Sequence, residues 1–182
     1  MQWPSRNSRT EAGLRRAACA AVAALLLGAC ETASVPPQID QLGLRHLDGR
    51  PASSGVWQGR WVVMNFWAVW CEPCRRELPS LQCLSERVDS ARVTVVGVTI
   101  DEDLRLAQEY IADRGIGFPM YAWGPQAAAR PQAIPETLVF APDGSLHRRV
   151  VGVEDWADPA LARRLGIPLA NAGATSWACS TG

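Results

Sequence analysis

Cys71-Glu72-Pro73-Cys74 is the stretch of this sequence with the clearest chemistry. Two thiols separated by two residues can exchange disulfides, close a structural bridge, or hold zinc or copper(I) between thiolates. Zinc asks for two further ligands at similar spacing. The histidines, His46 and His147, are distant and sit in segments that read as hairpin strands, so both are expected at strand surfaces, and no metal site is expected. A copper(I) carrier using the same dithiol would want an extra Met or His beside the pair, and none is there. A thiol peroxidase needs Thr-x-x-Cys with an arginine partner, and here Ala68 stands three residues before Cys71. A purely structural bridge is an unusual occupant of a strand-to-helix junction behind an aromatic lead-in, so dithiol redox chemistry is favoured. In that chemistry Cys71 is the nucleophile, because exposed amide N–H groups at a helix start favour a thiolate. Cys74, one turn later, is placed to resolve a mixed disulfide.

The elements that must hold this pair are legible on both sides of it. Val62, Val63, Met64, Phe66 and Trp67 form an apolar, β-branched and aromatic run, the composition of a strand covered on both faces. Arg75 to Val88 has helical periodicity, and Pro73 falls in its first turn, where a missing N–H costs nothing. Glu77 shares a helical face with Leu81, Leu84 and Val88, the face expected to be buried. A carboxylate there must be paired, protonated or used, and burial would raise its pKa. Glu77 is therefore a candidate acid/base toward Cys74; the alternative is a solvated surface Glu paired with Arg. Glu72 is expected to be exposed and, with Pro73, to tune the dithiol. Trp67 and Trp70 are expected to shape an apolar surface around Cys71, although core packing alone would account for Trp67.

Further along, Leu42 to Leu47 reads as a strand with Asp48-Gly49 as a hairpin turn, and Val56 to Arg60 as the approach to the central strand. Arg92 to Ile100 is a second buried strand, and Asp101-Glu102-Asp103 opens a helix from Leu104 to Arg114 that ends at Gly115. Phe118 to Tyr121 is a short strand, Trp123 to Ala133 a connector, and Glu136 to Ala141 a strand. Pro142-Asp143-Gly144 turns it into an antiparallel partner, Leu146 to Val151. Pro159 to Leu165 closes with a helix, and Asn171 to Gly182 reads as a loose tail. The order implies an α/β arrangement with a mixed central sheet.

With 182 residues the chain can bury an ordinary core. Charge is balanced at 18 basic and 18 acidic residues, all the basic ones Arg, and no basic patch points to nucleic acid. Residues 1–16 are polar and Arg-rich, and Ala17 to Ala29 is an apolar stretch too short for a stable span, the form of an export signal. It closes on Leu27-Gly28-Ala29-Cys30, which resembles a bacterial lipobox, so Cys30 is expected to carry lipid and tether the domain at an extracytoplasmic membrane surface. The expected divisions are 1–29 signal peptide, 30–38 lipidated tether, 39–166 redox domain and 167–182 tail. Cys83 and Cys179 remain: they form a second disulfide in an oxidising compartment, or Cys83 is a small core residue and Cys179 a free thiol.

Taken together, FWAVWCEPC, Pro79 and Ile134-Pro135 resemble the thioredoxin superfamily. More narrowly, MNFWAVWCEPCRRELP with AIPETLVFAPDG is similar to the membrane-anchored TlpA/ResA-like and cytochrome c biogenesis thiol–disulfide oxidoreductases, over Ile39 to Gly166. The resemblance implies a thioredoxin-like α/β fold, a central mixed sheet flanked by helices, with an N-terminal β-hairpin extension. It implies that Pro135 is cis and packs against the dithiol, that the backbone at Ile134 pairs with a bound substrate strand beside Trp70, and that Glu77 is the acid of the ResA-like members. Asn65 departs from thioredoxin, where a buried Asp occupies the matching position, and Glu77 takes over that role. The implied activity is protein-disulfide reduction, with no cofactor beyond the redox-active Cys71–Cys74 pair. The implied partners are exported cysteine proteins such as apocytochrome c, a membrane thiol reductase as electron donor, and the membrane itself.

Overall fold

The apolar run ahead of the dithiol forms the central strand of the sheet. In the computed structural model, which describes residues 38–124, 131–171, 173 and 179, this strand is β2, Trp61–Trp67, buried along nearly its whole length. It is preceded by β1 (Arg45–His46) and followed by β3 (Val93–Thr99), β4 (Met120–Ala122), β5 (Glu136–Phe140) and β6 (Leu146–Val151). The sheet order is β1-β4-β3-β2-β5-β6. β2, β3 and β4 run parallel, while β5 pairs antiparallel with β2, β6 with β5, and β1 with β4. The expected mixed sheet is present.

Side-chain alternation along β2 splits the core in two. Val63 and Trp67 point to one face with Val95 of β3 and Val139 of β5. There they meet Leu78, Leu81 and Leu84 of helix α1 (Glu72–Arg87), Ala107 of α2 (Leu104–Asp113) and Leu161 of α3 (Pro159–Arg164). Val62, Met64 and Phe66 point the other way, onto Leu42, Leu44, Trp57 and Trp123. Asn65 lies between Val63 and Trp67 by period, so it faces α1. That single polar residue in the strand sets up the site.

Several expectations change in detail. Leu42 belongs to a 3-10 turn (Ile39–Leu42), and Gly43, with φ 56°, breaks the chain before the strand begins. The N-terminal hairpin is correspondingly slight. His46 N–H donates to the Arg50 carbonyl at 2.8 Å and Arg45 bridges to Pro51, while Arg45–His46 itself joins the edge of the main sheet. Val56 lies in a second 3-10 turn, Ser54–Trp57. Packing also continues past Gly166. Ile167 is buried, Leu169 bridges to Val88, and Ala170 N–H donates to the Arg87 carbonyl at 2.9 Å.

The expected signal peptide, Cys30 and its tether up to Pro37, and most of the C-terminal tail lie outside the described residues. Among the described residues no helix is long and apolar enough to cross a membrane.

Candidate active site

β2 ends at Trp67, and after four residues the chain enters α1 at Glu72. Cys71 N–H donates to the Ala68 carbonyl at 3.1 Å, closing the turn, and Arg75 N–H donates to the Cys71 carbonyl at 3.1 Å, starting the helix. Cys71 is the N-cap, and its Sγ accepts from the Cys74 backbone N–H at 3.2 Å. Pro73 sits in the first turn as its missing donor allows. The two cysteines are joined as a disulfide with Cα atoms 5.3 Å apart. Cys71 is 5% exposed and Cys74 0%, so an incoming sulfur can reach only Cys71. The amide that caps the Sγ in the disulfide remains in place to stabilise a thiolate there once the pair is reduced.

The turn before Cys71 is held by a residue that the sequence assigns elsewhere. Asp101 does not cap α2, because Asp103 does, accepting from the Arg105 N–H at 3.0 Å. The Asp101 Oδ2 instead accepts from the Val69 N–H at 2.9 Å and the Thr99 hydroxyl at 2.6 Å, tying the loop over the sheet end to β3.

Glu77 is 1% exposed, which removes the solvated, Arg-paired alternative. Its Oε2 accepts from Asn65 Nδ2 at 3.0 Å, and its Oε1 accepts from Trp156 Nε1 at 2.6 Å and the Glu154 N–H at 3.1 Å. Asn65 Nδ2 also donates to the Thr137 hydroxyl at 3.0 Å, joining β2, α1 and β5 in one buried polar layer. Burial pushes the Glu77 carboxyl above its ordinary value of 4.5; the bonds from Trp156, Glu154 and Asn65 pull it back without cancelling the rise. Glu77 lies one helical turn beyond Cys74, on the same buried side.

The Ile134–Pro135 bond is cis. Pro135 is buried and its carbonyl accepts from the Gly152 N–H at 2.9 Å, while half-buried Ile134 packs on the apolar cluster that contains both cysteines. Trp70, 69% exposed, stands beside Cys71 on the outer surface, and Val151 and Val153, which flank Gly152, are exposed as well. Trp67 corrects an expectation: it is fully buried against Tyr110, with ring centroids 5.8 Å apart, so core packing accounts for it and Trp70 alone faces out. Glu72 is exposed and pairs with Arg76 at 2.7 Å.

Sequence reasoning missed Trp156, Asp101 and Glu136. Glu136, directly after Pro135, is fully buried on the other face of the sheet. Its Oε1 lies 2.7 Å from Arg149 Nη1, close in distance though not aligned as a hydrogen bond, and its Oε2 accepts from the Gln132 N–H at 3.2 Å. The histidines take no part: His46 packs on Tyr121 at the edge of the sheet, and His147 on Trp61 at the far end of β2 from the dithiol. Among the described residues no three metal-ligating side chains gather. Cys83, buried on α1, is bonded to Cys179, with Cα atoms 5.5 Å apart, so the tail thiol is not free.

Known proteins resemble this chain. The chain is similar to a thiol-disulfide oxidoreductase ResA of Oceanobacillus iheyensis, 28% identical over 106 residues, covering 52% of this chain and 51% of that one. It is 26% identical over 112 residues to the ResA of Bacillus subtilis, covering 60% and 63%. It thus spans between about half and under two thirds of these relatives. A solved thiol:disulfide interchange protein of the thioredoxin family from Chlorobium tepidum is 26% identical and superposes with a TM-score of 0.59, covering 76% of this chain and 97% of that one. A secreted Mycobacterium tuberculosis disulfide oxidoreductase shares the fold at 22% identity and a TM-score of 0.56, covering 70% and 98%. The fold is thioredoxin-like, residues 37–148 match the model of the AhpC/TSA family, and the chain belongs to that family.

Proposed function

We propose that this protein is a thiol–disulfide oxidoreductase that works outside the cytoplasm and reduces disulfides of exported cysteine proteins, apocytochrome c among them. The observation that carries the reading is the Cys71–Cys74 pair at the start of α1, with one cysteine slightly exposed, the other fully buried, and a buried carboxylate one helical turn beyond it. In the reduced protein the Cys71 thiolate attacks a substrate disulfide. A Cys71–substrate S–S bond forms and the substrate's other sulfur leaves as thiolate, taking a proton from water. Cys74 gives its proton to Glu77 and attacks Cys71 Sγ. The substrate's second sulfur leaves as thiolate and takes a proton from water, Glu77 returns its proton to solvent, and the Cys71–Cys74 bond closes, so the substrate gains the two electrons the dithiol loses. A membrane thiol reductase returns those electrons. Trp70, Ile134 and Pro135 form the rim on which an extended substrate segment lies. Glu72 and Pro73 tune the pair from the first turn of the helix.

The lipobox-like sequence supports a lipid on Cys30 holding the domain at the membrane. Insulin reduction tests the chemistry: Cys71→Ala abolishes it, and retained turnover in that variant refutes the mechanism. Cys74→Ser in the native host traps clients as mixed disulfides on Cys71, which identifies them. Cys30→Ser eliminates labelling by a radioactive fatty acid; undiminished labelling disproves the anchor.

A further inference from the structure

We propose that Trp156 is a positioning residue for the proton transfer at Cys74: its indole N–H fixes the Glu77 carboxylate and helps set the pH at which that carboxylate accepts the proton. This rests on the role given above to Glu77. Trp156 is 1% exposed and comes from the loop between β6 and α3, distant in sequence from the dithiol. Its ring N–H makes the shortest contact to the carboxylate, 2.6 Å to Oε1. The residue is also anchored through its backbone. Trp156 N–H donates to Ser80 Oγ at 3.2 Å, and the Ser80 hydroxyl donates to the Glu77 carbonyl at 2.8 Å. The indole and the helical turn carrying Glu77 are therefore held to each other at two points. Rotation of the carboxylate about its last torsion would break the Trp156, Glu154 and Asn65 bonds together.

The groups facing Glu77 from each neighbouring element leave the indole as the main adjustable donor. β2 presents the neutral Asn65, which in turn reaches the neutral Thr137 of β5. α1 itself presents Cys74, one turn back. The loop after β6 presents the Glu154 N–H, and the Glu154 carboxylate acts in the opposite sense, favouring the protonated form. No guanidinium bonds to Glu77 among the described residues. Removing one donor from an ionised carboxylate disfavours that form, and a bond of this kind corresponds to roughly one pH unit.

The test is the two-phase release of thionitrobenzoate when the reduced protein attacks Ellman's disulfide. The first phase reads attack by Cys71. The second reads attack by Cys74 on the Cys71 mixed disulfide, and it is absent in Cys74→Ser. Trp156→Phe keeps an aromatic ring in place and deletes the N–H together with part of the indole, so the shift in midpoint, not the absolute rate, is the readout. The expected result is an upward shift of about one pH unit in the midpoint of the second phase, with the first phase unmoved. The rate falls up to about tenfold below the midpoint and recovers above it. In a Glu77→Gln background the Trp156→Phe change moves nothing further. A midpoint that stays in place in Trp156→Phe, with only a uniform drop in rate, overturns the inference and leaves Glu77 as the base. A second-phase profile unaltered by Glu77→Gln overturns the role of Glu77 itself, and this inference with it. If Trp156→Phe does not fold, Ser80→Ala takes its place. It frees the Trp156 backbone anchor, and an upward midpoint shift smaller than that of a lost charged bond is expected; none at all refutes the clamp.

Discussion

Comparing Glu77→Gln with Glu77→Ala, by urea unfolding at a series of pH values, separates the cost of the buried charge from the worth of its hydrogen bonds. In the folded protein burial holds the Glu77 carboxyl above 4.5, the value it regains when the chain unfolds. Between those two values the native state keeps a proton that the unfolded chain has released. Stability attributable to this group therefore falls as pH rises through that window, by at most about 1.4 kcal/mol per pH unit, and levels off above the folded value. Gln carries no such charge, so the wild-type minus Gln difference gives the slope free of other groups. The amide is also well accommodated. Asn65 Oδ1 is buried without a partner, and turning the Asn65 amide over offers that oxygen to the new NH2 while the Thr137 hydroxyl reverses to donate. The oxygen that accepts from Trp156 and Glu154 is retained. Glu77→Gln is therefore expected to lie within about 1 kcal/mol of wild type at low pH and to be the more stable protein at high pH. Ala, by contrast, strands three donors, two of them on residues at most 1% exposed. At about 1–3 kcal/mol for each buried orphan, and with water reaching some of the space, a loss of roughly 3–6 kcal/mol is expected at every pH. Stability that rises with pH relative to the Gln variant, or equal damage from Gln and Ala, would refute the reasoning.

Three other outcomes follow from the same geometry. Asn65→Asp places a second carboxylate about 3 Å from Glu77, where both cannot ionise; unfolding should show a loss of about 3 kcal/mol near pH 8 that shrinks markedly near pH 5, and a pH-independent loss contradicts this. Asp101→Ala removes the acceptor from the Val69 N–H and the Thr99 hydroxyl. It should cost about 1–2 kcal/mol and slow the first phase of thionitrobenzoate release, since the turn presenting Cys71 loses its anchor; unchanged kinetics speak against that role. Cys83→Ala opens a cross-link between residues 96 apart in sequence, so thermal or urea unfolding should report a loss of about 2–5 kcal/mol, and an unmoved midpoint under non-reducing conditions counts against the bond in solution.

What the sequence makes legible here is what local periodicity can carry. The β2 run and the leucines of α1 announce a buried strand and an amphipathic helix. The spacing of Glu77 from Leu81 and Leu84 places it on the buried face with no structure in hand. Strand alternation puts Asn65 on the same face as Val63 and Trp67, and the apolar run around it marks both faces as covered. Trp67 is in the core because β2 is covered on both faces, which its continuous apolar run already indicates. Interactions between residues far apart leave no such signature. Trp156 lies 79 positions from the carboxylate it holds, in a loop with no periodicity, and a Trp in a loop carries no mark of what its N–H bonds. Asp101 is hidden for another reason: three acids stand before α2, the one nearest the helix caps it, and only the fold shows the first turned back to the Cys71 loop. Cys83–Cys179 has the same character, because spacing along a chain does not fix which thiols meet. The strand expected at Leu42 to Leu47 shortens to two residues because Gly43 adopts a left-handed backbone, which apolar composition does not register.

The proposed mechanism accounts for a carboxylate in so costly a position. Cys74 has no exposed surface, so a proton leaving its sulfur must go to a neighbour before it reaches water. An ordinary carboxylate is a poor recipient: it titrates about four pH units below a free thiol, and the transfer runs steeply uphill. Desolvation narrows that gap by raising the carboxyl, and each unit gained is a unit of base strength toward sulfur. Taken alone, desolvation favours the protonated form, which is no base. The bonds from Trp156, Glu154 and Asn65 oppose it and keep the ionised form within reach. Base strength and availability thus pull in opposite directions, and the number of donors around Glu77 sets where they balance. In the proposed mechanism, the same burial that lowers stability as pH rises is what would fit Glu77 to take the proton from Cys74, so the loss of stability and the capacity for proton transfer would have one physical origin.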